Sequence, residues 1–514
     1  MDWTAGYASD IEYTAGFYAE QGPGYLNMVC ALNGYEPPTL GTPFTYFELG
    51  FGRGLTANVL AASNPHGKFY AADFNPAHVA GAQALADAAQ LGNLTLLENS
   101  FEDLALGKVA GLPQFDYITL HGIYTWVTAE NRQHIVAFLN RYLKPGGAVY
   151  TSYNAMPGWA GAQPLQRLLV EFGEAFPNRS NVEMDGAAAF VERMVAASSG
   201  YIDANPSVKV RLDTLKTGSR NYLVHEYMHK HWQPLYHADV ARDYAQAKLE
   251  FAGSAVLPMA YQALYLSPAR QAVVDTFPDS VMRETLKDYF LNTGFRKDIF
   301  VRGLRKMSAV RQAEVLSQIG VVLTVPRGDV NLAMKTAIGT FNGLPELYNA
   351  VCDALAQRPY LVGELAALPT LKGQSIVNLM QVAMLLASSG QAVVYLTGNP
   401  KTDAAVPKKM NAALARHVRY NDEYQALCSP LTGSGLTTDM FERIAFGVLS
   451  QARGNVSANE MTALVWQHVK ALGRKMTREG VALESDEENL AELLPSIEKI
   501  LRNKVPVWKQ LKML

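Results

Sequence analysis

The sequence predicts an α/β fold, a doubly wound, Rossmann-like sheet followed by mainly helical middle and C-terminal domains. Three observations carry this. Short apolar, β-branched runs alternate with longer helix-period runs up to about Tyr153. A glycine-rich loop closes the first of those runs. Beyond Met156-Pro157-Gly158 the strand signals thin out and helical periodicity dominates through about Phe300.

The candidate strands are Phe44–Leu49, Lys68–Asp73, Leu94–Glu98, Phe115–His121 and Ala148–Tyr153, all but the leucine-rich third being rich in aromatic or β-branched residues. Between them the spacing predicts helices over Gly54–Ala62, Pro76–Leu91 and Asn131–Leu143. The last stops at Lys144-Pro145-Gly146-Gly147, where proline removes a backbone donor and the glycines allow a turn into the next strand. The expected domains are 1–160, 161–300 and 301–514, the middle one helical. Short β-like segments at Val321–Val325 and Ala392–Leu396, the latter followed by Thr397-Gly398-Asn399-Pro400, suggest a winged-helix-like unit near residues 350–400. At the end, Glu484, Asp486, Glu487 and Glu488 form an acidic cap on an amphipathic helix, Leu490–Leu501.

Composition limits the function. With 514 residues, 49% hydrophobic and 18% charged, the chain can fill several ordinary cores. Its net charge of −2 supplies no global field for a nucleic-acid backbone or an anionic membrane, so nucleic acid is not an expected partner. The basic residues Lys401, Lys408, Lys409, Arg416 and Arg419, opposed only by Asp403, read as a solvated face. Ile376 to Leu396 is interrupted by Asn378, Gln381, Ser388, Ser389 and Gln391, too polar to span a bilayer. Cys30, Cys352 and Cys428 fit neither a disulfide framework nor paired metal ligands, and the N-terminus carries Asp2 where an export signal carries a basic residue. A cytoplasmic location is expected.

The strongest local signal is Phe44-Thr45-Tyr46-Phe47-Glu48-Leu49-Gly50-Phe51-Gly52-Arg53-Gly54, a strand, an acid and then alternate glycines opening a helix. Glycines there let the backbone turn sharply and let a ligand approach main-chain atoms. The spacing is G-x-G-x-G, not the G-x-G-x-x-G of nicotinamide dinucleotide sites. Asp73, followed by Phe74, ends the second strand where a carboxylate can accept ribose hydroxyls. Asn99, Ser100 and Phe101 follow the third strand and suit the edge and face of a purine. His121 ends the fourth, with Tyr124 and Trp126 just beyond. Four successive strand ends with ligand chemistry point to a nucleoside site in the sheet crevice.

In this order of parts the chain resembles the class I S-adenosylmethionine-dependent methyltransferases over about residues 40–153. The resemblance implies a Rossmann-like methyltransferase sheet and S-adenosyl-L-methionine as cofactor. It implies Glu48, Gly50, Gly52 and Gly54 around the methionine part, Asp73 at the ribose, and Asn99, Ser100 and Phe101 at the adenine. A narrower resemblance, over about residues 10–300, rests on the run Tyr13 to Leu26, His121-Gly122-Ile123-Tyr124-Thr125-Trp126-Val127, Ser152 to Trp159, His225-Glu226-Tyr227, Phe251 to Ala255 and Asn292 to Asp298. These segments are similar to bacterial methyltransferases with a methyltransferase regulatory domain, among them the rickettsial outer-membrane-protein lysine methyltransferases. The rickettsial enzymes modify lysines of a surface protein. The likeness does not itself fix the substrate, but the long multi-domain C-terminal portion favours a bulky acceptor, so a protein substrate with accessible lysines is expected.

If the acceptor is a lysine, its amine must lose a proton before its lone pair can attack the methyl group. A desolvated, aromatic pocket favours that loss and can hold a methylated cation over ring faces. Tyr124, Trp126, Tyr153 and Asn154, near the ends of the fourth and fifth strands, are the candidates for this pocket. A small-molecule methyltransferase with helical lids, and a cofactor-sensing regulator with a winged-helix-like partner-binding part, are the alternatives. His225-Glu226-Tyr227-Met228-His229 matches the zinc-protease pattern H-E-x-x-H. A protease would leave the nucleoside site without purpose, so no metal is expected.

Overall fold

The structure, a computed structural model, describes residues 15–40, 43–396, 404–452 and 456–514. Five parallel strands form in the predicted places: β1 (Thr45–Leu49), β2 (Lys68–Asp73), β3 (Leu94–Glu98), β4 (Phe115–Leu120) and β5 (Leu143–Asn154). Two further strands, β6 (Leu249–Ser254) and β7 (Phe295–Arg302), complete one seven-stranded sheet in the order β3-β2-β1-β4-β5-β7-β6. β7 runs antiparallel to both of its neighbours.

The segment 161–300 is mainly helical, as its periodicity predicts, but two of its stretches, β6 and β7, enter the sheet. β7 lies between two strands yet carries buried Arg296 and Asp298, so it lacks the uniform apolar run of a buried strand. Lys144-Pro145-Gly146-Gly147 does not separate β5 from the preceding helix, Ala129–Tyr142. It lies within β5, where the register against β4 slips between the pairs Phe115↔Leu143 and Tyr117↔Ala148.

Helices cover both faces. Helix Ala129–Tyr142 and helix His237–Ala245 pack on one side, through Ile135, Phe138, Leu139, Val240 and Tyr244. Helix Pro23–Leu32 packs on the other, against Tyr117 and Tyr150, and extends the same core to the helices of residues 309–388. Between β5 and β6 the chain builds a helical layer with its own core around Trp159, Leu169, Met184, Leu223 and Tyr227.

In the C-terminal part, Gly320–Leu323 is the middle strand of a small antiparallel sheet, with Tyr360–Leu361 and Ala392–Tyr395 at its sides. The order helix, short strand, two helices, strand over residues 345–395 is that of a winged helix, but the central strand comes from earlier in the chain. Thr397 to Pro400, Lys401 and Asp403 lie outside the described residues. Lys408, Lys409, Arg416 and Arg419 are exposed, and the buried side of their helix, Ala405–His417, packs on helix Leu55–Ser63 and helix Pro76–Ala89. The acidic cap forms as read: Ser485 and Glu488 make a reciprocal capping box on helix Asp486–Lys499. Among the described residues no helix is long and apolar enough to cross a membrane.

Candidate active site

The carboxyl ends of β1, β2, β3 and β4 open on a cavity of about 230 Å³. Every residue assigned to the cofactor from the sequence borders it: Glu48, Gly50, Gly52, Gly54, Asp73, Phe74, Asn99, Ser100, Phe101 and His121. The glycine loop is pinned to β2, with the Gly50 N–H donating to the Ala72 carbonyl (2.8 Å) and the Gly52 N–H to Asp73 Oδ2 (2.9 Å). Gly50, Gly52 and Gly54 have φ of 66°, 57° and 72°, values that penalise any side chain. At Gly54 a Cβ would also stand 2.5 Å from the Cβ of Ala82. Gly54 caps helix Leu55–Ser63, whose unsatisfied N–H groups and dipole therefore face the cavity.

The charged groups differ in state. Asp73 accepts from the Asn75 N–H through Oδ1 (2.9 Å) and lies 3.2 Å from Nδ1 of His78, so its second carboxylate oxygen anchors the loop. Glu48 is 4% exposed; Gln21 donates to its Oε1 at 3.4 Å, while its Oε2 has no hydrogen-bond partner among the described residues. Burial pushes the Glu48 carboxyl up to about 8, with Asp73 adding to the rise and Gln21 opposing it. A buried acid with one idle oxygen beside a nucleoside-sized crevice suits a cationic ligand group. His121 is held neutral, its ring pushed down to about 3 by burial and by Lys297. Its Nδ1 meets the Tyr150 hydroxyl at 2.8 Å, and its ring stacks on Tyr18 with centroids 3.5 Å apart. Ser100 faces the cavity but also caps helix Phe101–Leu106, accepting from the Asp103 N–H.

Of the four acceptor-pocket candidates, only Trp126 borders the cavity. Tyr124 is buried in the opposite core, donating to Asp243 Oδ2 at 2.9 Å. Tyr153 points to the β5 face opposite Tyr150, as period-two alternation requires for an odd separation, and donates to Asp298 at 2.6 Å. Asn154 is buried at the end of β5, its backbone bonded to Thr125 and Leu235. None of these three reaches the site. Strand-end position in sequence does not fix which way a side chain leaves the sheet.

Two walls fall outside the residues assigned to the cofactor or the acceptor from the sequence. Gly16 and Tyr18, in the segment before the turn Ala19–Gln21, fold over the glycine loop, the Tyr18 N–H donating to Thr56 Oγ1 at 3.1 Å. The same cavity is also lined by Tyr222, His225, Glu226 and His229. The helix carrying the H-E-x-x-H match, Arg220–Tyr227, ends before His229, so the motif lacks the continuous helix that a protease site needs. Burial pushes Glu226 up to about 7 against Arg211, and pushes His229 down to about 4 with His225 and His231 adding to the fall.

Comparison with known proteins agrees with this layout. Residues 47–147 match the family described as "Methyltransferase domain", and residues 219–302 match "Predicted methyltransferase regulatory domain". The second match contains Glu226 and both added strands, so this regulatory segment is built into the catalytic sheet. An uncharacterized protein of Synechocystis is 35% identical over 99% of both chains. An uncharacterized protein of Rickettsia prowazekii is 26% identical over 43% of this chain and 86% of its own. The structure of PKMT2 from Rickettsia typhi in complex with AdoHcy shares the fold, with a TM-score of 0.67 at 17% identity over 96% of this chain and 99% of that one. With a relative matched end to end and both domains recognised in order, the chain belongs to the S-adenosylmethionine-dependent methyltransferases that carry a methyltransferase regulatory domain.

Proposed function

We propose that the protein transfers a methyl group from S-adenosylmethionine to lysine side chains of a protein substrate. The observation that carries this reading is the second wall of the cavity, where a carboxylate, Glu226, stands with Trp126 and Tyr222 opposite the strand ends. A carboxylate among aromatic rings recognises an ammonium, and a long side chain is needed to reach a buried site. The end-to-end likeness to a rickettsial protein lysine methyltransferase supports a bulky acceptor. On this reading Glu48 Oε2 takes the cofactor's α-ammonium, the N-terminus of helix Leu55–Ser63 its carboxylate, Asp73 the ribose hydroxyls, and Asn99, Ser100 and Phe101 the adenine. When bound, the cofactor supplies an electrophilic methyl on a sulfonium. The chain's own work is to hold donor and amine in line and to keep water out. The test is incubation with radiolabelled S-adenosylmethionine and bacterial cell protein, followed by amino-acid analysis. Label in N-methyl-lysine is expected; label confined to small molecules would favour the lidded small-molecule enzyme instead.

A further inference from the structure

The His225-Glu226-Tyr227 run remains unused by the cofactor assignment. Its helix, Arg220–Tyr227, presents Tyr222, His225 and Glu226 to the cavity, residues three and four apart and therefore on one helix face. The Glu226 side chain is 14% exposed, and Arg211, its ion-pair partner among the described residues, lies 4.0 Å away, at the limit of contact. The Arg211 guanidinium instead lies over the Trp159 ring, 3.7 Å from its centroid. Arg211 thus biases the carboxylate without a tight bond to it. Trp126 packs edge-on to His229, with centroids 5.3 Å apart, and these neutral rings finish the wall.

We propose that Glu226 receives the acceptor amine, binding the incoming ammonium and taking its proton before methyl transfer. The inference rests on the amine-methylation reading above and names the group that acts on the acceptor. The ammonium gives one proton to the carboxylate. The freed nitrogen lone pair then forms the N–C bond as the C–S bond breaks, and that electron pair stays on sulfur as a neutral thioether. The carboxyl later returns its proton to solvent. A half-buried carboxyl at the cavity wall, pushed up to about 7, is matched to this exchange near neutral pH. The titratable groups around it are Arg211 from helix Lys209–Thr217, Tyr222, His225 and Tyr227 on its own helix, and His229 beyond its end. Glu48, Asp73 and His121 border the same cavity on the strand side.

The test follows kcat against pH for the full chain, with saturating radiolabelled cofactor and poly-L-lysine as acceptor. The wild type should lose rate below about pH 7 as Glu226 protonates. Glu226→Gln should lose that limb and fall about 100-fold or more at neutral pH, with the deficit narrowing above about pH 9 as free amine appears. Its affinity for S-adenosylhomocysteine by calorimetry should stay within about twofold. Glu226→Asp should keep the limb, and Arg211→Met should move it upward, which a merely structural ion pair would not do. Wild-type rates in Glu226→Gln, or a Glu226→Asp enzyme without the limb, would overturn this inference alone. A wild type that binds S-adenosylhomocysteine yet labels no lysine on poly-L-lysine or on cell protein would overturn the amine reading, and this inference with it.

Discussion

Glu48 holds a buried carboxyl near the carboxyl end of β1, an interior strand, with Oε2 making no hydrogen bond among the described residues. Its folded value of about 8 lies above the ordinary 4.5, so the unfolded chain releases this proton first as pH rises. Stability is therefore fullest below about pH 4.5 and is lost progressively toward pH 8. At pH 7 the carboxyl costs about 3 kcal/mol in the cofactor-free protein. Glu48→Gln should accordingly raise the melting temperature of the free protein at pH 7, with the gain vanishing near pH 4.5. The same change should weaken S-adenosylmethionine binding by about 1.5–3 kcal/mol, because the cofactor's ammonium loses its partner. Scanning calorimetry with and without cofactor measures both effects, and equal stabilisation of the two forms would remove Glu48 from the site.

At the scale of elements, β7 joins the regulatory segment to the catalytic sheet through buried charge. Arg296 donates to Asp298 (2.8 Å), Asp288 (2.7 Å) and Glu284 (3.0 Å), the last two from helix Ser280–Leu291. Asp298 also accepts from Tyr153 and faces His237 Nδ1 at 3.1 Å. Although burial alone would raise it, Arg296 and His237 hold Asp298 down at about 2, so its contribution is present above pH 3.8 and is lost as pH falls toward 2. Arg296→Met should destabilise the fold by about 3–5 kcal/mol, because Asp288 and Asp298 lose the guanidinium they share and Glu284 keeps only Lys287. Urea unfolding at neutral pH measures this. A loss below about 1 kcal/mol would mean that the network relaxes freely.

On the scale of the whole molecule, the C-terminal part supports the cofactor loop. Every residue of helix Leu55–Ser63 is buried, and its Leu55, Val59 and Ala62 pack with Leu85, Met410, Leu414, Leu427 and Cys428. Arg53, inside the glycine loop, pairs with Glu423 at 2.6 Å, and Ser63 donates to the Ser434 carbonyl at 2.7 Å. A chain ending after Leu396 should therefore expose the outer faces of helix Leu55–Ser63 and helix Pro76–Ala89. We expect it to bind S-adenosylhomocysteine at least tenfold more weakly and to lose near-ultraviolet circular dichroism. Native affinity in that truncated chain would show that the sheet domain holds its loop unaided.

The sequence by itself determined the parallel core and the cofactor side of the cavity. There, residue order and function coincide: a parallel strand must end where its turn begins, so Glu48, Asp73, Asn99 and His121 reach one crevice wherever the rest of the chain goes. Only the tertiary structure decided the remaining wall of the cavity, where the acceptor is proposed to enter. Tyr124 and Tyr153 looked as well placed as Trp126, but the direction in which each leaves the backbone follows from pleat parity and from the Gly122 turn, whose φ is 64°. Glu226 stands more than 100 residues from the strands that border the same cavity and enters the site by helix packing, a contact with no local periodicity to announce it. β7 was hidden for a related reason. Arg296 and Asp298 break the apolar pattern of β7, and the pattern reads as polar until helix Ser280–Leu291 packs its Asp288 and Glu284 against Arg296.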